Sequence, residues 1–448
     1  MRRLMPPQGT SVVRWLRDRD ATRPYIVLVA ATLIAAAAAS LSACRSTLDA
    51  PIEIDHRIDR ARTPAATIRL LLQPEHRALS PRYLAAADET VETLSIWFPI
   101  DKSRTFTLVD PAWHRTPEQR PHEKAVTVLD RTPWWTTEQA MAPELAVARS
   151  LTRHVIGSTF DVRALPPWFV DGFAEYAARR IVGNRFMGLN NPPGFAMYEG
   201  RHFGGFVPWH VRIRLMPDSD GDPVPAFRRM PVVDAGDAGK DDALAALTGR
   251  ALLVLTAAER WLGRPTYDAA LTEVARQFRG RAPTLNDFSR VASEVSGENL
   301  DWLFTPGFDS SVAFDYGVVT LASEPAAGRF HTTVTIARRG NGIFSGTTAP
   351  RTGPFESGEG VAIAVTFANG QEVREHWDGR DERKTYEYDG SAAAVSVVVD
   401  PERRVTLDLQ RTNNSRAIDP LTPVASRRWS ARWQLWLQHL LLTWSSLV

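Results

Sequence analysis

With a single cysteine among its 448 residues, the chain can form no internal disulfide and no zinc cluster of the kind built on two to four thiolates. Any metal would have to be held by histidine and carboxylates. Neither sign of charge prevails: 53 Lys and Arg stand against 51 Asp and Glu, a formal +2 that gives no electrostatic reason to expect nucleic acid. Glycine (28) and proline (31) are close to average usage, which excludes collagen-like and low-complexity chains. There is no Walker A loop, no G-x-G-x-x-G after a strand and no G-x-S-x-G elbow, so nucleotide, dinucleotide and serine-hydrolase chemistry lack a starting residue. What is present is ordinary globular composition, 44% hydrophobic and 23% charged, in a chain long enough for more than one buried core.

Six arginines (Arg2, Arg3, Arg14, Arg17, Arg19, Arg23) precede an uncharged run from Tyr25 to Ala43, the n-region and h-region of a signal peptide over residues 1–43. The run ends in Leu41-Ser42-Ala43-Cys44. This resembles the lipobox of bacterial lipoproteins, in which the cysteine is acylated after cleavage just before it, and the sole cysteine stands where the motif needs it. The alternative is an uncleaved signal anchor, since the run approaches the ~20 residues that span a bilayer. Both readings place the bulk of the chain outside the cytoplasm, tethered to a membrane of the bacterial envelope and facing the periplasm or the cell surface.

Residues 44–64 read as the lipidated Cys44 and a polar spacer. From Ala65, short apolar runs (Thr67–Leu72, Thr105–Val109, Ala125–Leu129) predict strands, with a helix between the first two over Tyr83–Phe98. Beyond Thr136 the pattern turns helical. Leu145, Ala148, Leu151, Thr152 and Val155 share a face, Pro166-Pro167 breaks the helix, and a second begins near Trp168. Further helices are expected at Ala243–Leu262, Tyr267–Gln277, Leu285–Val295 and Asn299–Leu303. After Phe314 the period becomes two, with strands at Val318–Leu321, His331–Ile336, Val361–Phe367, Tyr386–Tyr388, Val395–Val399 and Val405–Leu409, and a hairpin signal at Asn369-Gly370. This predicts a β-sandwich over 314–415. The tail, 416–448, places Trp429, Trp433, Trp436, Leu440 and Trp444 on one face of a helix over 427–448, led by Arg427, Arg428 and Arg432. Such a helix suits a lipid interface, or packing on its own core or a partner chain.

Two stretches carry a family likeness: Pro143-Glu144 through His154-Val155-Ile156-Gly157, and Trp168-Phe169-Val170-Asp171-Gly172-Phe173-Ala174-Glu175-Tyr176. They resemble the aminopeptidase N-like gluzincins, zinc metallopeptidases on a thermolysin-like helical domain, whose helices carry P-E-x-x-x-x-H-E-x-x-H and W-x-x-E-G-F-x-x-Y. Downstream, Glu294 through Phe304, and Trp377-Asp378-Gly379, Asp400-Pro401 and Arg411-Thr412-Asn413-Asn414, are similar to later parts of bacterial members. The resemblance spans roughly residues 80 to 415. It implies an α+β fold: a gluzincin-like, mostly helical domain with a small β region over 65–313, then an Ig-like sandwich, then the amphipathic tail helix. The family's large N-terminal β-domain is absent or reduced to a remnant.

In the family, two histidines one helical turn apart reach a single zinc while the adjacent glutamate takes a proton from the metal-bound water. The matching positions here are Arg149 (first ligand), Ser150 (general base), Arg153 (second ligand), Asp171 (third ligand) and Thr248 (transition-state tyrosine). A guanidinium is permanently protonated and has no acceptor, so it repels a divalent cation. Zinc, the cofactor implied by the resemblance, is read as lost, and Asp171 is expected to pair with Arg149 or Arg153 in the volume the metal would fill. No H-E-x-x-H occurs elsewhere, and the amine-binding G-A-M-E-N motif is missing around Glu123–Leu129. His154, Asp171, Glu175 and Tyr176 remain as cleft candidates, with His154–Asp171–Glu175 the best improvised metal constellation, though His154 lies about 100° around the helix from Arg153. The expected function is a membrane-tethered pseudopeptidase that binds a peptide or an envelope protein. The alternatives are a hydrolase with a non-standard metal site and a structural lipoprotein docked on a membrane partner.

Overall fold

The computed structural model describes residues 52–58, 66–100, 104–110, 126–129, 142–183, 197–198, 213–214, 240–346 and 360–419. The signal segment, Cys44 and the 427–448 helix lie outside the described residues. Among those described, no helix is long and apolar enough to cross a membrane.

The first sheet is built from β1 (Ile52–Ile58), β2 (Ala66–Leu72), β3 (Arg104–Val109) and β4 (Val126–Val128), in that spatial order. β1 runs antiparallel to β2, pairing Ile52 with Leu72, whereas β3 and β4 are parallel to it. β1 corrects the expectation of a spacer over 44–64. Its Ile52, Ile54 and Ile58 alternate with Glu53, Asp55 and Arg57, the period of an edge strand with one wet face. Helix α1 (Ser80–Trp97) makes the crossover between β2 and β3, with Pro81 in its first turn. Its buried face is Tyr83, Ala86, Ala87, Thr90, Val91, Leu94 and Trp97, a 3-4-7 stripe.

Helix α2 (Ala142–Thr159) follows, with Glu144 in its first turn, where the helix dipole favours a carboxylate. Its core side is wider than the expected face, since Ala146, Val147 and Ile156 are also buried. The chain then breaks at Pro166-Pro167, forms one π-helical turn at Trp168–Gly172 and continues as α3 (Phe173–Val182). Glycine is required at 172 by packing: a Cβ there would lie 2.3 Å from Ala251 Cβ on the next long helix. That helix, α4 (Lys240–Leu262), is followed by α5 (Arg264–Gln277), α6 (Leu285–Ser296) and α7 (Asp301–Phe308). α6 starts with a reciprocal capping box between Thr284 and Asp287 and stops at Gly297, φ +72°. Two two-residue strands, β5 (Met197–Tyr198) and β6 (Ile213–Arg214), pair antiparallel.

The C-terminal part comprises β7 (Tyr316–Ala326), β8 (Arg329–Arg338), β9 (Val361–Phe367), β10 (Glu372–Trp377), β11 (Arg383–Gly390), β12 (Ala394–Val399) and β13 (Ser415–Ala417). They form a sheet ordered β10-β9-β12-β13 and a second ordered β11-β8-β7. The Asn369-Gly370 hairpin joins β9 to β10, with Gly370 at φ +84° and Thr366 facing Glu372. Val334 and Ile336 of one sheet share a core cluster with Ile363, Val365 and Val397 of the other. Val405–Leu409, expected as a strand, is instead an irregular loop carrying one isolated bridge, Phe314 to Asp408. The Asp400 carboxylate accepts from the backbone N–H groups of Arg404 (2.7 Å) and Val405 (2.9 Å), and Val405 and Leu407 are buried. The local anchor therefore overrides the strand-like alternation. β13 carries the sheets two residues past the expected end at 415.

Candidate functional site

Arg149 and Arg153 stand one turn apart on α2, and Asp171 and Glu175 are likewise four residues apart across the π turn and the start of α3. The short break at Pro166-Pro167 folds the second segment back, so the pairs form in reverse order. Arg153 Nε donates to Asp171 Oδ1 at 3.0 Å, and an Arg149 guanidinium N–H donates to Glu175 Oε2 at 2.9 Å. Arg179, one turn further along α3, donates to the other oxygen of Glu175. The expected salt bridge is thus Arg153–Asp171, while Arg149 is taken by Glu175.

Burial and charge divide these groups. The Glu175 side chain is 3% exposed and that of Arg149 14%, whereas Arg153 and Asp171 are 35% and 30% exposed. Burial alone would raise the Glu175 carboxyl, but Arg179 and Arg149 overcome it and hold its pKa at about 2. So low a value makes Glu175 a weak base at neutral pH. Ser150 is buried. Thr248 sits inside α4, and its hydroxyl donates to the Leu244 carbonyl at 2.8 Å.

His154 is not brought together with Asp171 and Glu175. It faces the first sheet, where its Nε2 contacts an Arg104 guanidinium N–H at 3.1 Å, its Nδ1 the Thr127 hydroxyl at 2.9 Å, and its ring meets Phe106 edge-on. Arginine can only donate, so Nε2 accepts and the neutral ring carries its proton on Nδ1, donating to Thr127. Burial, then the charge of Arg104, lowers its pKa, and both nitrogens are committed.

Tyr176 also points elsewhere. Its hydroxyl donates to Glu259 Oε2 (2.8 Å) and accepts from Arg180 (3.0 Å). Arg180 continues to Asp268 (2.8 Å), which accepts from Trp97 Nε1 (2.9 Å), and Glu259 also accepts from Arg264 (2.7 Å). This network joins α3 to α1, α4 and α5. Burial, then the charge of Glu259, raises the tyrosine pKa well above its ordinary value. A second tie missed in the sequence is the two-pronged bond from Arg82 on α1 to buried Glu144 (2.6 and 2.8 Å). Partners of this kind lie tens of residues apart and leave no periodic signal.

The residues that the resemblance matches to metal ligands do not fit zinc. Two present guanidinium groups, which have no lone pair to give, and the one ligand-type side chain, Asp171, accepts from Arg153. Among the described residues, no group of three His, Cys, Asp or Glu side chains is arranged to hold a metal ion.

A crystal structure of Legionella pneumophila aminopeptidase A in complex with aspartic acid matches 80% of this chain and 38% of its own, with TM-score 0.50 and 11% identity. The fold is shared with an aminopeptidase. A mutant M1 zinc metallopeptidase from Deinococcus radiodurans, bound to a Tyr-Ser-Ala substrate, matches 58% of this chain and 52% of its own, with TM-score 0.35 and 12% identity. The chain therefore spans well under two thirds of either protein. No family model matches it, and no curated protein matches it in sequence.

Proposed function

We propose that the chain is an exported, membrane-tethered protein on an aminopeptidase N-like scaffold that has given up zinc and peptide hydrolysis and serves as a peptide- or protein-binding module. The observation that carries this reading is the pair of ion pairs, Arg153–Asp171 and Arg149–Glu175, at the positions where the resembling family holds its metal. Cations there oppose a divalent ion by charge and offer it no donor. Among the described residues, the neighbouring candidates do not replace the lost base: Glu175 is held ionised by two arginines and His154 is held against the sheet. The two C-terminal sheets are read as the Ig-like sandwich that accompanies such scaffolds. The tether is the acylated Cys44, with the 427–448 helix as an added membrane or partner contact. The test is hydrolysis of a panel of aminoacyl fluorogenic amides by the purified full chain, with and without added zinc. No turnover above the Arg153→Ala variant is expected, and zinc-dependent turnover that the variant loses overturns the reading.

A further inference from the structure

The segment 400–409 ties α4 to the two C-terminal sheets. Val405 and Leu407 are buried in the core. The Thr406 hydroxyl donates to the Leu253 carbonyl of α4, Arg260 of α4 donates to the Arg403 carbonyl, and the Arg404 guanidinium lies 5.6 Å over the Trp261 ring. On the other side the Asp400 N–H donates to the Ala362 carbonyl of β9 (2.8 Å) and the Leu409 N–H to that of Phe314 (2.9 Å). The turn between them is strained. Asp400 and Arg403, neither of them glycine, sit at φ +55° and +58°, a backbone that persists only where its surroundings hold it. Here the Asp400 carboxylate holds it, through the N–H groups of Arg404 and Val405.

This tie contains two buried carboxyl groups: Asp400 is 5% exposed and Asp408 1%. Asp408 accepts from the Tyr316 N–H (3.3 Å), the Gln410 N–H (2.9 Å) and Asn414 Nδ2 (2.8 Å). Arg411 places positive charge beside both, and Asp315 adds a further carboxylate beside Asp408. Both aspartates also face Tyr316 of β7, as does Arg338 of β8. From α4 comes Arg260, while Ala362 of β9 and Val399 of β12 bring no charge. Burial dominates and raises both carboxyls, Asp400 to about 7 and Asp408 to about 6, against Arg411 and the hydrogen-bond donors. Ionising both puts two like charges into one low-dielectric region.

We propose that residues 400–409 form a pH-sensitive latch between α4 and the C-terminal sheets, closed while Asp400 and Asp408 are protonated and loosened when both are ionised. The folded values lie above the ordinary 3.8, so the closed form has its full stabilisation below that pH and loses it as pH rises towards 7. Loosening releases the Thr406 and Arg403 ties to α4, while the cluster of Trp261, Trp302 and Phe344 keeps the sheets attached. On α4, Leu253 lies two residues from Ala251, the contact of the π turn that carries Asp171. The latch thus borders the arginine–carboxylate site, yet it does not depend on the zinc-free reading.

The test is amide hydrogen exchange, read by mass spectrometry on the detergent-solubilised full chain from pH 5 to pH 8 and corrected for the intrinsic pH dependence of exchange. Peptides covering 400–409 are expected to exchange about tenfold or more faster at pH 8 than at pH 5, levelling off above about pH 7. Peptides of β8 and β9 keep their protection. In the double variant Asp400→Asn, Asp408→Asn the 400–409 profile becomes flat with pH. The wild-type profile decides the matter even if that variant fails to fold. Corrected exchange of 400–409 that does not change with pH, acceleration shared equally by β8 and β9, or a pH response that survives in the folded double variant overturns the proposal.

Discussion

The buried Glu175 offers the sharpest energetic test of the ion-pair site. Bringing its carboxyl from the ordinary 4.5 to about 2 corresponds to about 3 kcal/mol in favour of the ionised form, at about 1.4 kcal/mol per tenfold change in proton affinity. The substitution Glu175→Gln keeps the shape, removes the charge, and leaves Arg149 and Arg179 facing a neutral amide. Breaking a buried pair typically costs about 3–5 kcal/mol, the same order. The folded pKa lies below the unfolded one, so the stabilisation is complete above about pH 5 and disappears as pH falls through 4.5 towards 2. Urea unfolding of wild type and variant is therefore expected to differ by about 3 kcal/mol at pH 7 and by about half of that at pH 3. A deficit under about 1 kcal/mol at pH 7, the size of an exposed pair, or one independent of pH, refutes the view that two arginines lock this carboxylate.

Gly172→Ala should cost about 1–3 kcal/mol by overpacking against Ala251, and Ala251→Gly in the same chain should restore part of it; a thermal melt showing no loss contradicts the close approach of the π turn to α4. Asp400 behaves oppositely to Glu175. Burial raises its pKa to about 7 against the pull of Arg411 and two backbone N–H donors, so the stability it affects is fully present below its ordinary 3.8 and falls as pH rises towards 7. A carbon-13 NMR titration of its carboxyl should turn near pH 7, and a midpoint near 4 shows that the donors win. Cys44→Ser is expected to move the protein out of the lipid-modified membrane fraction, and an unchanged distribution favours an uncleaved anchor.

Much of the site's frame was legible because it rests on local rules. The helix break at Pro166-Pro167, the switch to period two after Phe314 and the Asn369-Gly370 turn all act within a few residues. The pairing of Arg149 with Glu175, and not with Asp171, depends on α2 and α3 running antiparallel, and no single helix face discloses that. β1 was hidden because only Ile52, Ile54 and Ile58 mark its inner face while charged residues fill the outer one. Val405–Leu409 misled in the opposite direction: its alternation is real, but Asp400 holds the preceding backbone in a turn. The ties through Arg82, Glu259 and Asp268 join residues far apart in sequence, beyond the reach of any periodicity.

The zinc content of the purified full chain, measured by plasma mass spectrometry after equilibration with micromolar zinc and dialysis, bears most directly on whether arginine has displaced the metal. Far less than one zinc per chain is expected, unchanged in Asp171→Ala. One zinc per chain, lost in that variant, contradicts it.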